Sequence, residues 1–323
     1  MNVVITGAAG FLGQRLAKAL LATGIPDSSG ETIPVEWLLL ADHADIPPMD
    51  DPRVAYATGD IADPSYVEAI IAPDCQLLFH LAAVVSSAAE ADFDLGMRVN
   101  VDASRLLLER CRALGSRPRV IFTSSVAVFG PCEGGSDPVV SPRSSYGTEK
   151  AIAELMLSDY ARRGFIEGVV LRLPTIAVRP GKPNRAASSF VSGIVREPLS
   201  GVDAVCPVSD TTRLWLLSPM RAVAGLIHAA SLPNSALTAH PVLNLPGISV
   251  SVADIIASVE RVGGPEAVAR IHMVRDEGID AIVSSWPGQL DDRIARRMGF
   301  TGDETFDEII RDFVENDLPV ACS

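Results

Sequence analysis

The sequence is poor in cysteine, and its few cysteines show neither a metal-binding pattern nor a disulfide framework. They are odd in number, and none stands in a CxxC pair or at the spacing of a His/Cys metal site. This pattern predicts reduced thiols, a cytoplasmic protein and no structural metal. The five cysteines are Cys75, Cys111, Cys132, Cys206 and Cys322.

Excess positive charge and long apolar runs are lacking as well. The formal net charge is −13 and the pI is near 4.8, which argues against a nucleic-acid partner, because polyphosphate binding needs a basic surface. No apolar run approaches the roughly 20 residues that span a bilayer, and no basic leader precedes the apolar N-terminus. We therefore expect neither membrane insertion nor export.

Short apolar runs alternate with amphipathic segments through the first 174 residues. Apolar runs bounded by turn residues predict strands at 2–6, 35–40, 54–58, 77–80, 120–124 and 168–172. Helical periodicity predicts helices at 11–23, 65–71, 99–114 and 146–163. The repetition predicts an α/β fold, a Rossmann-type doubly wound parallel sheet over residues 1–174. Beyond it, we expect residues 175–323 to form mainly a smaller C-terminal substrate lobe, with some chain returning to the sheet.

Three glycines follow the first predicted strand at the spacing GxxGxxG. They are Gly7, Gly10 and Gly13, with Phe11 and Leu12 between the last two. Glycine permits a tight turn and lets backbone amides approach a pyrophosphate, which the following helix N-terminus then stabilises. The segment therefore predicts a dinucleotide-binding site.

Asp42 ends the second predicted strand, where a carboxylate can bind both adenosine ribose hydroxyls and repel a 2′-phosphate. The predicted cofactor is therefore NAD rather than NADP, although the neighbouring His43 is a residue type that can tolerate a phosphate. Residues at the ends of the third and fourth strands should lie beside the rest of the dinucleotide. These are Asp60, Ile61, Leu81, Ala82 and Ala83.

A tyrosine and a lysine four residues apart, Tyr146 and Lys150, share one helical face. Oxidation of an alcohol needs a base near neutral pH, and the pKa of a free phenol, about 10, is too high. Positive charge nearby favours phenolate, so Lys150 together with the positive nicotinamide ring should lower the pKa of Tyr146, and Lys150 should also hold the nicotinamide ribose. Ser125 should orient the substrate oxygen, whereas His80, at the end of a buried strand, is interpreted as structural.

In this order the motifs resemble the extended short-chain dehydrogenases/reductases of the NAD-dependent epimerase/dehydratase superfamily, over essentially the whole chain. The resemblance places catalysis on Ser125 rather than Ser124. It further implies that Asn100 lies beneath the active site and that Pro174 and Thr175 belong to the cofactor site. Members usually dimerise through the helices that carry the asparagine and the tyrosine, which implies a homodimer or larger homo-oligomer.

The sequence departs from two branches of this superfamily. Dehydratases follow the active serine or threonine with Asp-Glu, where this chain has Val126 and Ala127. Epimerases of nucleotide sugars keep an asparagine where this chain has Thr175, and two aspartates near Arg213 that are missing here. These departures disfavour elimination of water and disfavour a nucleotide-sugar substrate.

Two families that act on small molecules remain open. Residues 145–150 and 171–188 resemble the D-erythronate dehydrogenase family, which oxidises the C2 hydroxyl of a four-carbon sugar acid with NAD. Seven basic residues against three acidic ones between Arg172 and Arg221 fit a small anionic substrate independently. The predicted carboxylate-binding residues are Arg179, Lys182, Arg185 and Arg213.

The other family is L-threonine 3-dehydrogenase, which shares the His-Leu-Ala-Ala sequence that begins at His80 and a Ser-Trp-Pro segment around Trp286. Trp286 itself is interpreted as lobe packing. An NAD-binding regulator without turnover is disfavoured, because the serine, tyrosine and lysine are all present.

Overall fold

The computed structural model describes residues 1–27, 30–130, 138–181 and 187–318. Its strands are β1 (Asn2–Thr6), β2 (Ile25–Pro26), β3 (Thr32–Ile33), β4 (Trp37–Asp42), β5 (Val54–Thr58), β6 (Leu77–His80), β7 (Arg119–Ser125), β8 (Glu167–Leu173), β9 (Thr175–Ile176), β10 (Ala204–Cys206), β11 (Arg213–Leu217), β12 (Val242–Asn244), β13 (Ile248–Ser251) and β14 (Ile271–Met273). Its helices are α1 (Phe11–Thr23), α2 (Pro64–Ile70), α3 (Ser86–Ala91), α4 (Phe93–Gly96), α5 (Ala103–Leu114), α6 (Ser145–Arg162), α7 (Ser189–Leu199), α8 (Pro219–Ser231), α9 (Asn234–Ala239), α10 (Val252–Gly263), α11 (Pro265–Val268), α12 (Glu277–Ser284), α13 (Arg293–Arg297) and α14 (Phe306–Asn316). A π-helical turn, Met97–Asp102, leads into α5, and a 3₁₀ turn, Val126–Val128, follows β7.

Seven parallel strands form the central sheet, in the order β12-β8-β7-β6-β1-β4-β5. Alternate side chains of each strand point to opposite faces. Val3 and Ile5 pack in the core formed with α1 and α8, whereas Val4 packs in the core on the other face, with residues of α5 and α6. Burial on both faces explains why the inner strands β1, β4 and β6 are mostly apolar. The predicted Rossmann-type α/β fold is confirmed.

The second lobe has its own sheet and core. Strands β13, β11 and β9 form a three-stranded sheet, and helices α7, α10 and α14 bury residues such as Ile194, Ile255 and Phe313 in one cluster. The chain also returns to the first lobe, because Val242 in β12 pairs with Val170 in β8 and Leu226 in α8 packs in the core with α1.

The parallel arrangement places the carboxyl ends of β1, β4, β6, β7 and β8 along one edge of the sheet. In open sheets of this kind, ligands bind in the crevice outside those ends. Among the described helices, none is long and apolar enough to cross a membrane.

Candidate active site

A cavity of about 870 Å³ lies at the carboxyl edge of the sheet. It is bordered by β1, β4, β6, β7 and β8, by the start of α1, and by residues of the second lobe. With one exception, Asn100, every residue predicted to bind the cofactor lines it. The predicted residues on its wall are Gly7, Gly10, Phe11, Leu12, Gly13, Asp42, Asp60, Ile61, Leu81, Ala82, Ala83, Tyr146, Lys150, Pro174 and Thr175.

The glycine segment packs too closely for side chains at two positions. Gly7 has a φ of +75°, and a Cβ there would lie 2.7 Å from the amide nitrogen of Ala82. A Cβ on Gly13 would lie 2.5 Å from the carbonyl oxygen of Gly7. Gly10 caps α1 without a side-chain acceptor, so the first amides of a 13-residue helix border an open cavity. This loop fits a dinucleotide pyrophosphate.

Asp42 is held at the cavity by its own neighbours. One carboxylate oxygen accepts hydrogen bonds from the Ala9 amide, at 2.9 Å, and the other from the Ala44 amide, at 3.1 Å. The His43 ring lies 2.9 Å from the same carboxylate and is exposed. The carboxylate therefore lies beside the glycine loop, where it can accept hydrogen bonds from the hydroxyls of an adenosine ribose. The residues present fit NAD.

Tyr146, Lys150 and Ser125 converge on the cavity, as the sequence predicts. Lys150 is buried, donates to the Thr123 carbonyl at 3.0 Å, and has its ammonium 5.8 Å from the Tyr146 ring centroid. Ser124 is engaged elsewhere, because its hydroxyl donates to Glu154 at 2.5 Å. The hydroxyl that hydrogen-bonds the tyrosine is that of Ser125, which supports its choice over Ser124.

The pKa values differ from the simple expectation. Burial raises the pKa of Tyr146 to about 12, and this effect outweighs the lowering caused by Arg179 and by the Ser125 hydroxyl. Burial also lowers the pKa of Lys150 to about 8, with Glu154 and Glu149 acting in the opposite direction. The lowering of the Tyr146 pKa predicted for Lys150 and the nicotinamide ring together is not provided by the protein alone, because desolvation of the phenol dominates.

Arg179 reaches the same cavity from the second lobe. Its Nε donates to the Ile176 carbonyl at 3.0 Å and one Nη donates to the Ser188 hydroxyl at 3.2 Å. No carboxylate of the described residues pairs with it. Near Tyr146 there is therefore a fixed, partly buried guanidinium that has no counterion among the described residues.

Arg213 does not reach the cavity, contrary to the sequence prediction. It is exposed and donates to the carbonyl and hydroxyl of Ser249. It lies three residues before Leu216, which pairs with the cavity residue Thr175, so strand geometry places Arg213 about 10 Å from that pairing. The predicted Lys182 and Arg185 lie outside the described residues.

Asn100 lies behind the cavity wall, not on it. It is buried. Its amide oxygen accepts a hydrogen bond from the Val84 N–H, and its amide nitrogen donates one to the Val84 carbonyl. His80 is structural, as predicted: its ring lies between the Thr6 and Ser104 hydroxyls, and burial lowers its pKa to about 3.

Sequence reasoning missed several wall residues. Trp286, interpreted as lobe packing, lines the cavity from the second lobe, as does Ser188. Val84 and Ser86 line it from the segment after β6. The Ser-Trp-Pro segment was visible in the sequence, but nothing in its local pattern indicates which way the indole points.

Comparison with known proteins agrees with this geometry. Residues 3–216 match the model of the NAD dependent epimerase/dehydratase family. The chain is 53% identical over 319 residues to a D-erythronate dehydrogenase of Cupriavidus necator, covering 98% of each, and 46% identical to one of Haemophilus influenzae, covering 98% of this chain and 100% of the relative. A crystal structure described as a nucleoside-diphosphate-sugar epimerase from Agrobacterium tumefaciens superposes with a TM-score of 0.89 at 40% identity, covering 100% of this chain and 96% of the other.

Proposed function

Because this chain belongs to the NAD-dependent epimerase/dehydratase family, and because the guanidinium of Arg179 near Tyr146 pairs with no carboxylate of the described residues, we propose that it oxidises a small sugar acid. The substrate that best fits is D-erythronate, whose C2 hydroxyl becomes a ketone in 2-oxo-tetronate. The two D-erythronate dehydrogenase relatives, at 53% and 46% identity, support this assignment. The observation that carries it is the Arg179 guanidinium at the cavity, which forms no ion pair within the described part of the chain.

Arg179 is suited to a carboxylate. Its hydrogen bonds to Ile176 and Ser188 fix the plane of the guanidinium, and within the described residues its other N–H groups have no side-chain or carbonyl acceptor. Planar guanidinium groups bind carboxylates through two parallel hydrogen bonds. The carboxylate of a C2-hydroxy acid is bonded directly to the reacting carbon, so its anchor must lie close to the catalytic phenol.

The chemistry follows from the catalytic residues. Tyr146 accepts the proton of the C2 hydroxyl while the C2 hydrogen leaves with its electron pair as hydride. Ser125 orients the substrate oxygen, and Lys150 adds positive charge beneath the phenol. When bound, NAD supplies the hydride acceptor and a positive ring that favours the phenolate over the raised pKa of Tyr146.

Other reactions of the family fit less well. Elimination of water needs an acid and a base after the active serine, and the turn following Ser125 offers Val126 and Ala127 to the cavity instead. L-threonine carries an ammonium group, which Arg179 and Lys150 would repel. A nucleotide sugar would need a side chain that binds its diphosphate, such as the asparagine of the epimerases, at the position where this chain has Thr175.

The test compares Arg179→Met with Arg213→Met as the matched control. Because Arg179 should bind the substrate carboxylate, we expect its loss to raise the KM for D-erythronate at least tenfold, as a charge-assisted contact of about 1.5–3 kcal/mol implies. The dissociation constant of NAD should change less than twofold, and Arg213→Met should behave as wild type. NADH absorbance measures turnover, and titration of the intrinsic protein fluorescence with NAD measures its dissociation constant.

Three outcomes would contradict the proposal. A parallel loss of NAD affinity in Arg179→Met would place this arginine on the cofactor. An equal effect of Arg213→Met would mean that its placement outside the cavity is wrong. Turnover of L-threonine, with no turnover of any four- to six-carbon aldonate, would favour the threonine dehydrogenase alternative.

We also propose that the enzyme is a cytoplasmic homodimer. Cys75, Cys111 and Cys206 are free, buried thiols, in keeping with a reducing compartment. Leu155 on α6, one of the helices through which family members usually dimerise, is 73% exposed. An apolar side chain so exposed on that helix fits a contact with a second copy.

A further inference from the structure

Glu149 is a buried carboxyl between the two catalytic residues of α6 that the mechanism above does not use. Its side chain is 1% exposed. One oxygen accepts a hydrogen bond from the Asn100 amide at 2.6 Å, and the other is buried without a hydrogen-bond partner in the described part of the chain. Burying a carboxyl with an unpaired oxygen is costly, so its presence here suggests a role.

The surrounding structure makes room for this carboxyl. A Cβ on Gly96 would lie 2.2 Å from the unpaired oxygen of Glu149. Gly96 immediately precedes the π-helical turn that carries Asn100. Single π-helical turns are frequent at functional sites, because the extra residue redirects a side chain.

Asn100 connects Glu149 to the cavity. Its amide oxygen accepts from the Val84 N–H at 2.8 Å, and its amide nitrogen donates to the Val84 carbonyl at 3.0 Å. Val84 lines the cavity. A side-chain amide has an NH₂ group that donates and an oxygen that accepts. Because the Glu149 carboxylate can only accept, it orients the NH₂ group of Asn100 toward itself.

Charged and titratable groups face Glu149 from more than one element. Burial raises the pKa of Glu149; the Asn100 hydrogen bond and Lys150 lower it, and Glu90 on α3 raises it. In return, Glu149 raises the pKa of both Tyr146 and Lys150. Removing the charge of this carboxyl would therefore change the pKa values of both catalytic residues.

We propose that Glu149 is a positioning residue of the active site. It fixes the Asn100 amide that holds the Val84 peptide groups at the cavity wall, and it places a negative charge one helical turn from Tyr146. The two effects are separable, because the first needs an acceptor and the second needs a charge. The inference rests on Tyr146 acting as the base and not on the identity of the substrate.

The experiment compares Glu149→Gln, which keeps the acceptor and the volume, with Glu149→Ala, which removes acceptor and charge. Tyrosinate absorbance of the NAD complex is titrated against pH, with Tyr146→Phe as the reference that identifies the signal of Tyr146. Because a negative neighbour is lost, Glu149→Gln should titrate Tyr146 about 0.5–1 pH unit lower and keep NAD affinity within twofold. Glu149→Ala should show the same shift and bind NAD at least fivefold more weakly.

A wild-type titration in Glu149→Gln would overturn the role of the charge. Wild-type NAD affinity in Glu149→Ala would overturn the role in fixing Asn100. Gly96→Ala, whose methyl group would displace the carboxyl, tests the proposal without changing Glu149 and should also weaken NAD binding. No substrate enters these measurements, so failure of the D-erythronate assignment would leave them unaffected.

Discussion

Tyr146 experiences two opposing effects at the scale of a single residue. Burial favours its neutral phenol and raises the pKa to about 12, while Arg179 and Ser125 favour the phenolate. Burial lowers the pKa of Lys150 to about 8, and Glu154 and Glu149 act against this lowering. The protein alone therefore favours the neutral phenol, and general base catalysis by Tyr146 needs the positive charge that bound NAD adds.

Replacing Tyr146 with phenylalanine removes the proton acceptor and keeps the ring. We expect kcat for D-erythronate to fall about 10²–10⁴-fold, the usual contribution of a positioned base, with the NAD dissociation constant changed less than twofold. The control is Tyr160→Phe, which removes a hydroxyl from the same helix at a site where it bonds Glu109. Retained turnover in Tyr146→Phe, measured by NADH formation, would exclude it as the base.

At the scale of elements, the turn from β1 into α1 depends on backbone contacts that admit no side chain. Gly13→Ala would place a methyl group 2.5 Å from the Gly7 carbonyl oxygen and 2.7 Å from the Ala8 Cα. The loop must shift, so we expect NAD affinity to fall at least tenfold and stability to fall by about 1–3 kcal/mol.

Gly193→Ala is the matched control for that change. Gly193 lies within α7, and its nearest neighbour would be 3.6 Å from a new Cβ. Alanine in a helix interior is favoured over glycine by about 0.5–1 kcal/mol, so this variant should be slightly stabilised and bind NAD normally. Thermal unfolding and NAD titration distinguish the two variants. Equal effects would mean that the close backbone contacts of Gly13 are not required for NAD binding.

The elements that the sequence predicts best are those whose pattern is local. The run ending at Thr6 is apolar because both faces of β1 are buried, and the predicted bounds match the structure. The sequence does not predict the π-helical turn around Asn100, because Met97–Asp102 is too short a segment to reveal the change of phase that one extra residue causes. Arg213 was misplaced for another reason: its distance from the cavity depends on the register between β11 and β9, which no local pattern encodes.

At the scale of the whole molecule, side-chain contacts join the two lobes in addition to the points where the chain crosses between them. Arg15 on α1 pairs with Asp317, just after α14, and lies 3.7 Å from Asp312 within that helix. A small apolar cluster also joins Val128 and Phe129 of the first lobe to Trp215 and Leu290 of the second. These contacts hold the wall that carries Trp286 against the catalytic edge, as a site shared between lobes requires.

The proposed homodimer gives the prediction at this scale. Leu155 on α6 is 73% exposed, and burying it against a second copy would remove an apolar surface that is unfavourable in water. Wild type should therefore elute at twice its 34.2 kDa chain mass in size-exclusion chromatography with light scattering. Leu155→Glu should elute at the single-chain mass, because dimerisation would then bury two unpaired carboxylates.

Val205→Glu is the control, because Val205 is 54% exposed on β10 in the other lobe. It should leave the dimer intact, so that a loss of association in Leu155→Glu reflects position and not added charge. Helix α6 also carries Tyr146 and Glu149, so dimerisation should stiffen the helix that holds the proposed base. The enzyme should then lose turnover when it is diluted below the dissociation constant of the dimer. A wild type that is monomeric at micromolar concentration, or a Leu155→Glu variant that remains dimeric, would contradict this assembly.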